Sequence, residues 1–401
     1  MQPPRLHIST GMRQILDYPR FVGPTRVLIL GTEYFFDQSW KRAAESLGWA
    51  VAMAPSAMLG GLTREQIQQL FTTIAEFKPH FILTSNYAGM DTAGIFSRFF
   101  EDARIPYVSW FTDTPRMILF GREMHFSPYS VAATWERGYL PHLEQVGFPH
   151  VFHMPLATDP HLFNGAPADT FARGLAFVGT SMRQQAAEAI EKHAHLPHVL
   201  RALEEALLEG RVTRAAFMGG LEALFAPELL APLTASERRN LELLVNYEAT
   251  RRQREALVRR LRPFGLEVRG DANWRSVHDN VQGQVGYYDD LAAFYRNTAI
   301  NLNSTSLQMP YAVNQRVFDC PAAGGFLITD AQADLAALFE PAEVVVYHSL
   351  DELADLVRYF LPRPRERAAV IERARSRILA QHTHAHRLLA LEGWLKERFA
   401  A

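Results

Sequence analysis

Three stretches of this 401-residue sequence bring together residue types able to do chemistry, and each lies where a buried strand should give way to a turn. Residues 109–116 read SWFTDTPR, which places Asp113 directly after an apolar run and just before a proline. A carboxylate there can take a proton from a hydroxyl or hold one by hydrogen bonding. The same Asp-Thr-Pro order also suits the cap of a helix beginning near Pro115. Residues 177–183 read FVGTSMR, a strand opening through Gly179, Thr180 and Ser181 into a helix that starts near Arg183. Free backbone N–H groups, the positive end of a helix dipole and a fixed guanidinium make an anion site. Residues 314–330 read NQRVFDCPAAGGFLITD, a small-residue helix that ends in Gly-Gly and passes into an apolar strand. Asn314 and Arg316 open that helix, where the guanidinium would reinforce a dipole aimed at a diphosphate. Asp319, a turn later, could hold ribose hydroxyls. Close helix–sheet packing selects the same Ala and Gly residues.

A fourth stretch, residues 31–35 (GTEYF), follows an apolar run but lacks the G-x-G-x-x-G spacing of a dinucleotide loop. Its glycine serves a tight turn or a ligand loop, and the missing spacing counts against nicotinamide or flavin chemistry.

Alternating strands and helices must position these groups. Residues 25–31, 51–53, 80–83 and 106–111 read as short buried strands, with helical spacing over 39–48 and 63–77. The same grammar restarts after residue ~165, with strands expected at 174–179, 266–268, 299–303, 325–328 and 344–347. Residues 186–262, rich in Ala, Leu, Glu and Arg, read as mostly helical. The tail over 349–399 reads as helical, broken near Pro362 and Pro364. Such alternation implies two α/β units with parallel sheets, and ligands in these sheets bind outside the carboxyl ends of the strands.

Composition narrows the function. The formal charge is −2, from 41 basic and 43 acidic residues, which leaves no field to attract nucleic acid or an anionic membrane. The local run Arg251, Arg252, Arg254, Arg259, Arg260 and Arg262 reads as a solvated helix face. A single cysteine, Cys320, makes neither a disulfide nor a cysteine-rich metal site and fits a reducing, cytoplasmic compartment. The N-terminus lacks the apolar core of a signal peptide, and no stretch approaches the ~18 apolar residues of a spanning helix.

Residues 312–330, together with 286–291, Tyr295 and 301–304, resemble the C-terminal half of group-one glycosyltransferases. The branch is the one named for the spore-maturation protein CgeB. Residues 343–347, 349–353 and 381–387 resemble that branch as well, as do 105–115 and 155–160 in the N-terminal half, leaving 186–262 largely uncovered. The resemblance implies the GT-B fold: two Rossmann-like domains facing a central cleft, here with a helical insertion and a C-terminal helical tail. It implies an acceptor-binding domain over residues 1–165 and a nucleotide-sugar-binding domain over 166–380, with the insertion at about 186–262. A terminal helix over 381–401 would return to the first domain. Asp319 falls at the second Glu of the family's E-x₇-E motif, whose carboxylate grips the donor ribose, while the first Glu falls at Tyr311. Arg183 falls near the basic residue facing the diphosphate, and Asp113 near the acceptor-side residue that contacts the transferred sugar.

The expectation is therefore transfer from a nucleotide-diphosphate sugar to an acceptor left open among protein, glycan and lipid-linked sugar. Asp113 is the catalytic candidate. Gly179, Thr180, Arg183, Tyr287, Asn314, Arg316 and Asp319 are the donor-binding candidates. Tyr287, Tyr288 and Trp110 suit either stacking or a core. No cofactor and no metal is expected, because no two aspartates are separated by a single residue and Asp289-Asp290 are adjacent. His382 and His386 would share a helix face, yet nothing beside them completes a metal site, and packing explains them as well. A nucleotide-sugar epimerase of the same fold would need several acids and histidines around the sugar. A non-catalytic sugar- or nucleotide-binding protein is the other alternative.

Overall fold

The computed structural model describes residues 8–31, 35–56, 63–90, 94–121 and 124–400. The chain divides into two compact units, Met1–Pro155 with His384–Ala401, and Leu156–Thr383. Most of the 31–35 turn, residues 32–34, lies outside the described residues.

The first unit is built from α1 (Thr10–Leu16), β1 (Arg26–Gly31), α2 (Phe35–Ser46), β2 (Ala50–Pro55), α3 (Arg64–Phe77), β3 (Phe81–Ser85), α4 (Ile95–Asp102), β4 (Tyr107–Phe111), α5 (Pro115–Ile118), β5 (Ser130–Thr134), α6 (Leu140–Val146) and β6 (His150–His153). Its six-stranded sheet runs β2-β1-β3-β4-β5-β6, parallel throughout. Continuous aliphatic strands suit burial on both faces, and Val27, Leu28, Ile29 and Leu30 of β1 are all but inaccessible. Thr63 and Gln66 close a reciprocal capping box on α3, the local reason that helix begins there. Trp110 is core: its ring stacks near Phe36 and Trp40, and its indole N–H donates to the Met154 carbonyl at 3.1 Å. The C-terminal helix His384–Phe399 buries Leu388, Leu391 and Leu395 in this unit.

In the second unit the order is β7 (Arg173–Val178), α7 (Arg183–Lys192), α8 (Pro197–Leu208), α9 (Arg214–Met218), α10 (Pro227–Leu230), α11 (Ala235–Leu261), β8 (Glu267–Arg269), β9 (Val281–Gln282), α12 (Leu291–Arg296), β10 (Thr298–Leu302), α13 (Gln315–Ala322), β11 (Leu327–Asp330), α14 (Leu335–Leu338), β12 (Val345–Tyr347), α15 (Leu350–Phe360) and α16 (Pro364–Gln381). All six strands are parallel in the order β12-β11-β10-β7-β8-β9. Counted from β7, that is the 3-2-1-4-5-6 order of a dinucleotide-binding sheet, with its reversal between β7 and β10. Gly324, at φ +85°, ends α13 where a side chain would also meet the Ala166 carbonyl at 2.4 Å.

The helical insertion carries its own core, in which Val199, Leu203, Phe217, Leu241, Leu244 and Val245 pack together. The far end of α11 belongs to the sheet instead, through Leu257, Val258 and Leu261. One helix therefore spans both cores.

Three sequence expectations need correction. The tail breaks at His382–Thr383 as well as near the prolines, so His382 ends α16 and His384 begins the next helix. His382 and His386 thus do not share one helix. The basic run is a solvated face only in part: Arg259 and Arg262 are exposed, whereas Arg251 pairs with Glu248 and with Glu255, Arg252 with Glu248 and Glu204, and Arg254 is half-buried. Finally, β5, β6 and β9 were not anticipated. β5 (SVAAT) is built of small residues, β6 is only half-buried, and β9 is two residues long, so none carries a strong periodic signal.

Candidate functional site

The strand order reverses between β7 and β10, the point where a doubly wound sheet offers its ligand crevice at the carboxyl ends of the strands, and polar groups gather there. Asn314 caps α13 by accepting from the Arg316 backbone N–H at 3.0 Å. Arg316 then donates to the last carbonyls of both central strands, Val178 of β7 and Leu302 of β10, the latter at 3.2 Å. Its remaining contacts are the Asn303 side-chain oxygen at 3.1 Å and the Tyr295 hydroxyl at 3.3 Å. Every acceptor is neutral. The guanidinium is oriented across the crevice while its charge stays uncompensated by any carboxylate in ion-pair range among the described residues.

Gly179 and Thr180 follow β7. From α11, Arg254 reaches across and donates to the Thr180 carbonyl at 2.9 Å and to its hydroxyl at 3.1 Å. Burial, and next the neighbouring Arg316, lower the Arg254 pKa to about 10. Ser181 is tied down by Asp271, which accepts from its N–H at 2.6 Å and from its hydroxyl at 2.7 Å. Those hydrogen bonds hold the Asp271 carboxyl below its ordinary range against the opposing effect of burial. Arg183, at the start of α7, pairs with Glu255 of α11 at 2.8 Å. On the far side of the crevice, the Gln253 amide donates to the Ser304 hydroxyl at 3.1 Å.

Asp330, at the end of β11, is a second anchor. It accepts from the Thr305 N–H and hydroxyl, at 3.0 and 2.9 Å, and pairs with Arg214 of the insertion.

Asp319 stands apart from this cluster, on the buried face of α13 at 1% exposure. It accepts from the Thr158 hydroxyl at 2.8 Å, the Gln315 amide at 3.0 Å and the Tyr287 hydroxyl at 3.1 Å. None of the three carries a charge, and burial pushes the carboxyl up to about 7. The Tyr287 hydroxyl is raised well above its ordinary value by burial and by Asp319. Tyr287 also packs edge-on against Phe163 and against the exposed Tyr288.

In the first unit, Asp113 follows β4. Thr114, not Asp113, is the N-cap residue of α5. Asp113 instead accepts from the Asn86 amide at 2.9 Å, while the Asn86 oxygen takes the Thr112 and Asp113 N–H groups at 2.9 and 3.2 Å. Asn86 and Tyr87 both hold left-handed backbone, φ +50° and +59°, a strain that the surrounding hydrogen bonds must sustain.

The structure thus gathers Gly179, Thr180, Arg316 and Asn314 around one crevice, gives Arg183 an acidic partner, groups Asp319 with Tyr287, and leaves Asp113 in the other unit. Sequence reading passed over Arg254, Asp271 and Asn86. Arg254 had a signal: with Leu257, Val258 and Leu261 it forms an i, i+3, i+4, i+7 stripe, so it had to share the buried face. Asp271 and Asn86 carry no comparable pattern. Among the described residues, no group of three His, Cys, Asp or Glu side chains could hold a metal ion, and no helix is long and apolar enough to cross a membrane.

Residues 251–393 match a family model described as glycosyl transferase-like. No curated protein matches the chain. Among solved structures, the chain is similar to the DNA-modifying enzyme beta-glucosyltransferase, solved in the presence and absence of its substrate uridine diphosphoglucose. That likeness has a TM-score of 0.54 at 9% identity and covers 94% of this chain and 100% of that one. T4 phage BGT in complex with its UDP-glucose substrate gives 0.51 at 10% identity, covering 94% and 99%. Sucrose-phosphate synthase from Thermosynechococcus elongatus gives 0.49 at 14% identity, covering 94% and 100%. The fold is GT-B. At such identities the likeness concerns the fold alone.

Proposed function

We propose that this chain is a cytoplasmic, metal-independent glycosyltransferase of the CgeB-like branch, moving a sugar from a nucleotide-diphosphate donor to a protein, glycan or lipid-linked acceptor. The observation that carries the reading is the Arg316 guanidinium laid across the β7/β10 crevice, inside the segment that matches the glycosyl transferase-like model. Sugar transfer breaks the bond between the anomeric carbon and a phosphate oxygen and forms one to an acceptor hydroxyl. The departing diphosphate gains charge, which fixed cations stabilise as well as a metal ion does.

In this reading Gly179, whose own N–H donates to the Arg269 carbonyl at 2.8 Å, lets the donor approach closely. Thr180 presents its backbone N–H, Arg316, with Asn314 capping α13, meets the phosphates, and Arg183 borders them while paired with Glu255. Asp319 holds the ribose, whose hydroxyl takes the place of the Tyr287 hydroxyl on the carboxylate, and Tyr287 moves onto the base or sugar. Asp113, aimed by Asn86, accepts the acceptor proton. The domain division at about residue 165 and the insertion at 186–262 belong to the same proposal.

The test is incubation with a panel of nucleotide sugars. Slow release of nucleoside diphosphate, undiminished in excess EDTA, is the expected result. Interconversion of the sugar without release would make the protein an epimerase. Activity lost in EDTA and restored by magnesium or manganese would overturn metal independence.

A further inference from the structure

The insertion does more than extend the second unit. Its helix α11 carries Glu255, Arg254 and Gln253 in succession, and all three reach the rim of the β7/β10 crevice or a group beside it. Glu255 pairs with Arg183 at 2.8 Å and is shared with Arg251 and Arg259, so Arg183 enters any anion contact partly compensated. Among the described residues Arg254 has no such partner. It makes two hydrogen bonds to Thr180, both to neutral oxygens, and its Nε is buried without a hydrogen-bond partner. The acids nearest in electrostatic reach, Asp330 and Asp271, are committed elsewhere: Asp330 to Arg214 and Thr305, Asp271 to Ser181 and Asn273. Arg254 donates to the Thr180 carbonyl and Arg316 to the Val178 carbonyl, two residues apart at the end of β7. Two like charges are therefore held near each other, half-buried, oriented by neutral groups and, among the described residues, paired with no carboxylate. Such an arrangement costs free energy until an anion sits between the charges.

We propose that Arg254, delivered by the insertion helix, forms with Arg316 the seat of the donor's diphosphate, and that Arg183 is a structural partner of Glu255 and not a principal phosphate contact. The inference rests on the reading of the chain as a user of nucleotide-diphosphate donors, and it deepens that reading by naming a cation from the insertion helix that the family resemblance does not assign. Four of the five guanidinium N–H groups of Arg316 already donate to protein oxygens, so Arg316 contributes chiefly charge. Arg254 engages only Nη1 and can turn its remaining N–H groups to neighbouring phosphate oxygens. The recognised chemistry is a diphosphate, free or esterified to a nucleoside.

The experiment is calorimetric titration of the wild type, Arg254→Ala, Arg254→Gln and Arg183→Ala with inorganic pyrophosphate and with UDP, ADP and GDP. Each Arg254 variant should lose about 10- to 100-fold in affinity for pyrophosphate and for whichever nucleotide binds, the size expected when a charged hydrogen bond is removed. Arg183→Ala should lose no more than about threefold. Wild-type affinity should fall more steeply with added salt than that of Arg254→Gln, which a merely structural role would not produce. Glutamine can keep the contact with Thr180, so it decides the matter if the alanine variant does not fold. Tight nucleotide binding left unchanged in Arg254→Gln, or a larger loss in Arg183→Ala, would overturn the inference while leaving the transferase reading intact. A wild type that binds neither pyrophosphate nor any nucleoside diphosphate would overturn both. Tight binding of nucleotide with none of pyrophosphate would place recognition in the nucleoside and overturn the inference alone.

Discussion

Helices α7 and α13 start beyond the carboxyl ends of the two central strands of one sheet, and each brings an arginine within its first two residues. On sequence they are equivalent anion sites. In the folded unit they differ. α7 opens from Met182 in left-handed backbone, and its Arg183 is paired with Glu255. α13 opens from a capping asparagine, and its Arg316 touches only neutral oxygens. A guanidinium near a helix start is thus not enough to make a phosphate site. What matters is whether a distant segment has already supplied its counter-charge.

The largest effect should come from outside this comparison and isolate it. Asp113→Asn is expected to lower turnover by about 100-fold or more, the usual size for a lost general base, with donor affinity nearly unchanged. Steady-state kinetics beside calorimetry checks this, and wild-type turnover in the variant would reduce Asp113 to a turn residue. Arg316→Ala should cost roughly 10- to 150-fold in nucleoside-diphosphate affinity. A loss no greater than that of Arg183→Ala would erase the distinction between the two helix starts.

Asp319 offers a measurement by pH. Its folded pKa is about 7 against an ordinary 3.8, so the folded state binds the proton more tightly than the unfolded chain. Its contribution to stability is then fully present below about pH 4, is lost progressively as pH rises to about 7, and is level above that. Asp319→Asn should flatten this decline in Tm, because Thr158 and Tyr287 hydroxyls can turn to accept and Gln315 can flip. A decline as steep in the variant as in the wild type would assign it to other groups.

The smallest effect is the sharpest for the comparison. Glu255→Gln should release Arg183 and tighten diphosphate binding by a few-fold, while weakening the α7–α11 pairing that the ion pair supports. Unchanged or weaker binding would show that Arg183 points away from the ligand even when freed.

Sequence alone determined the layers. Buried aliphatic runs such as VLIL in β1 and LAFV in β7 must be parallel strands, because nothing else hides so many branched side chains between helices. It also determined the helix starts, since Thr63 and Asn314 cap through bonds made within three residues. Local physics sufficed for both. Strand order, and with it the crevice between β7 and β10, was decided only in three dimensions, because β7 and β10 pair across more than a hundred residues of intervening chain. The same holds for charge. Whether Arg183, Arg254 or Arg316 retains a usable charge depends on which carboxylate the fold brings within about 3 Å, where Coulombic attraction outweighs screening. Glu255 lies 72 positions from Arg183 in the chain and 2.8 Å from it in the fold.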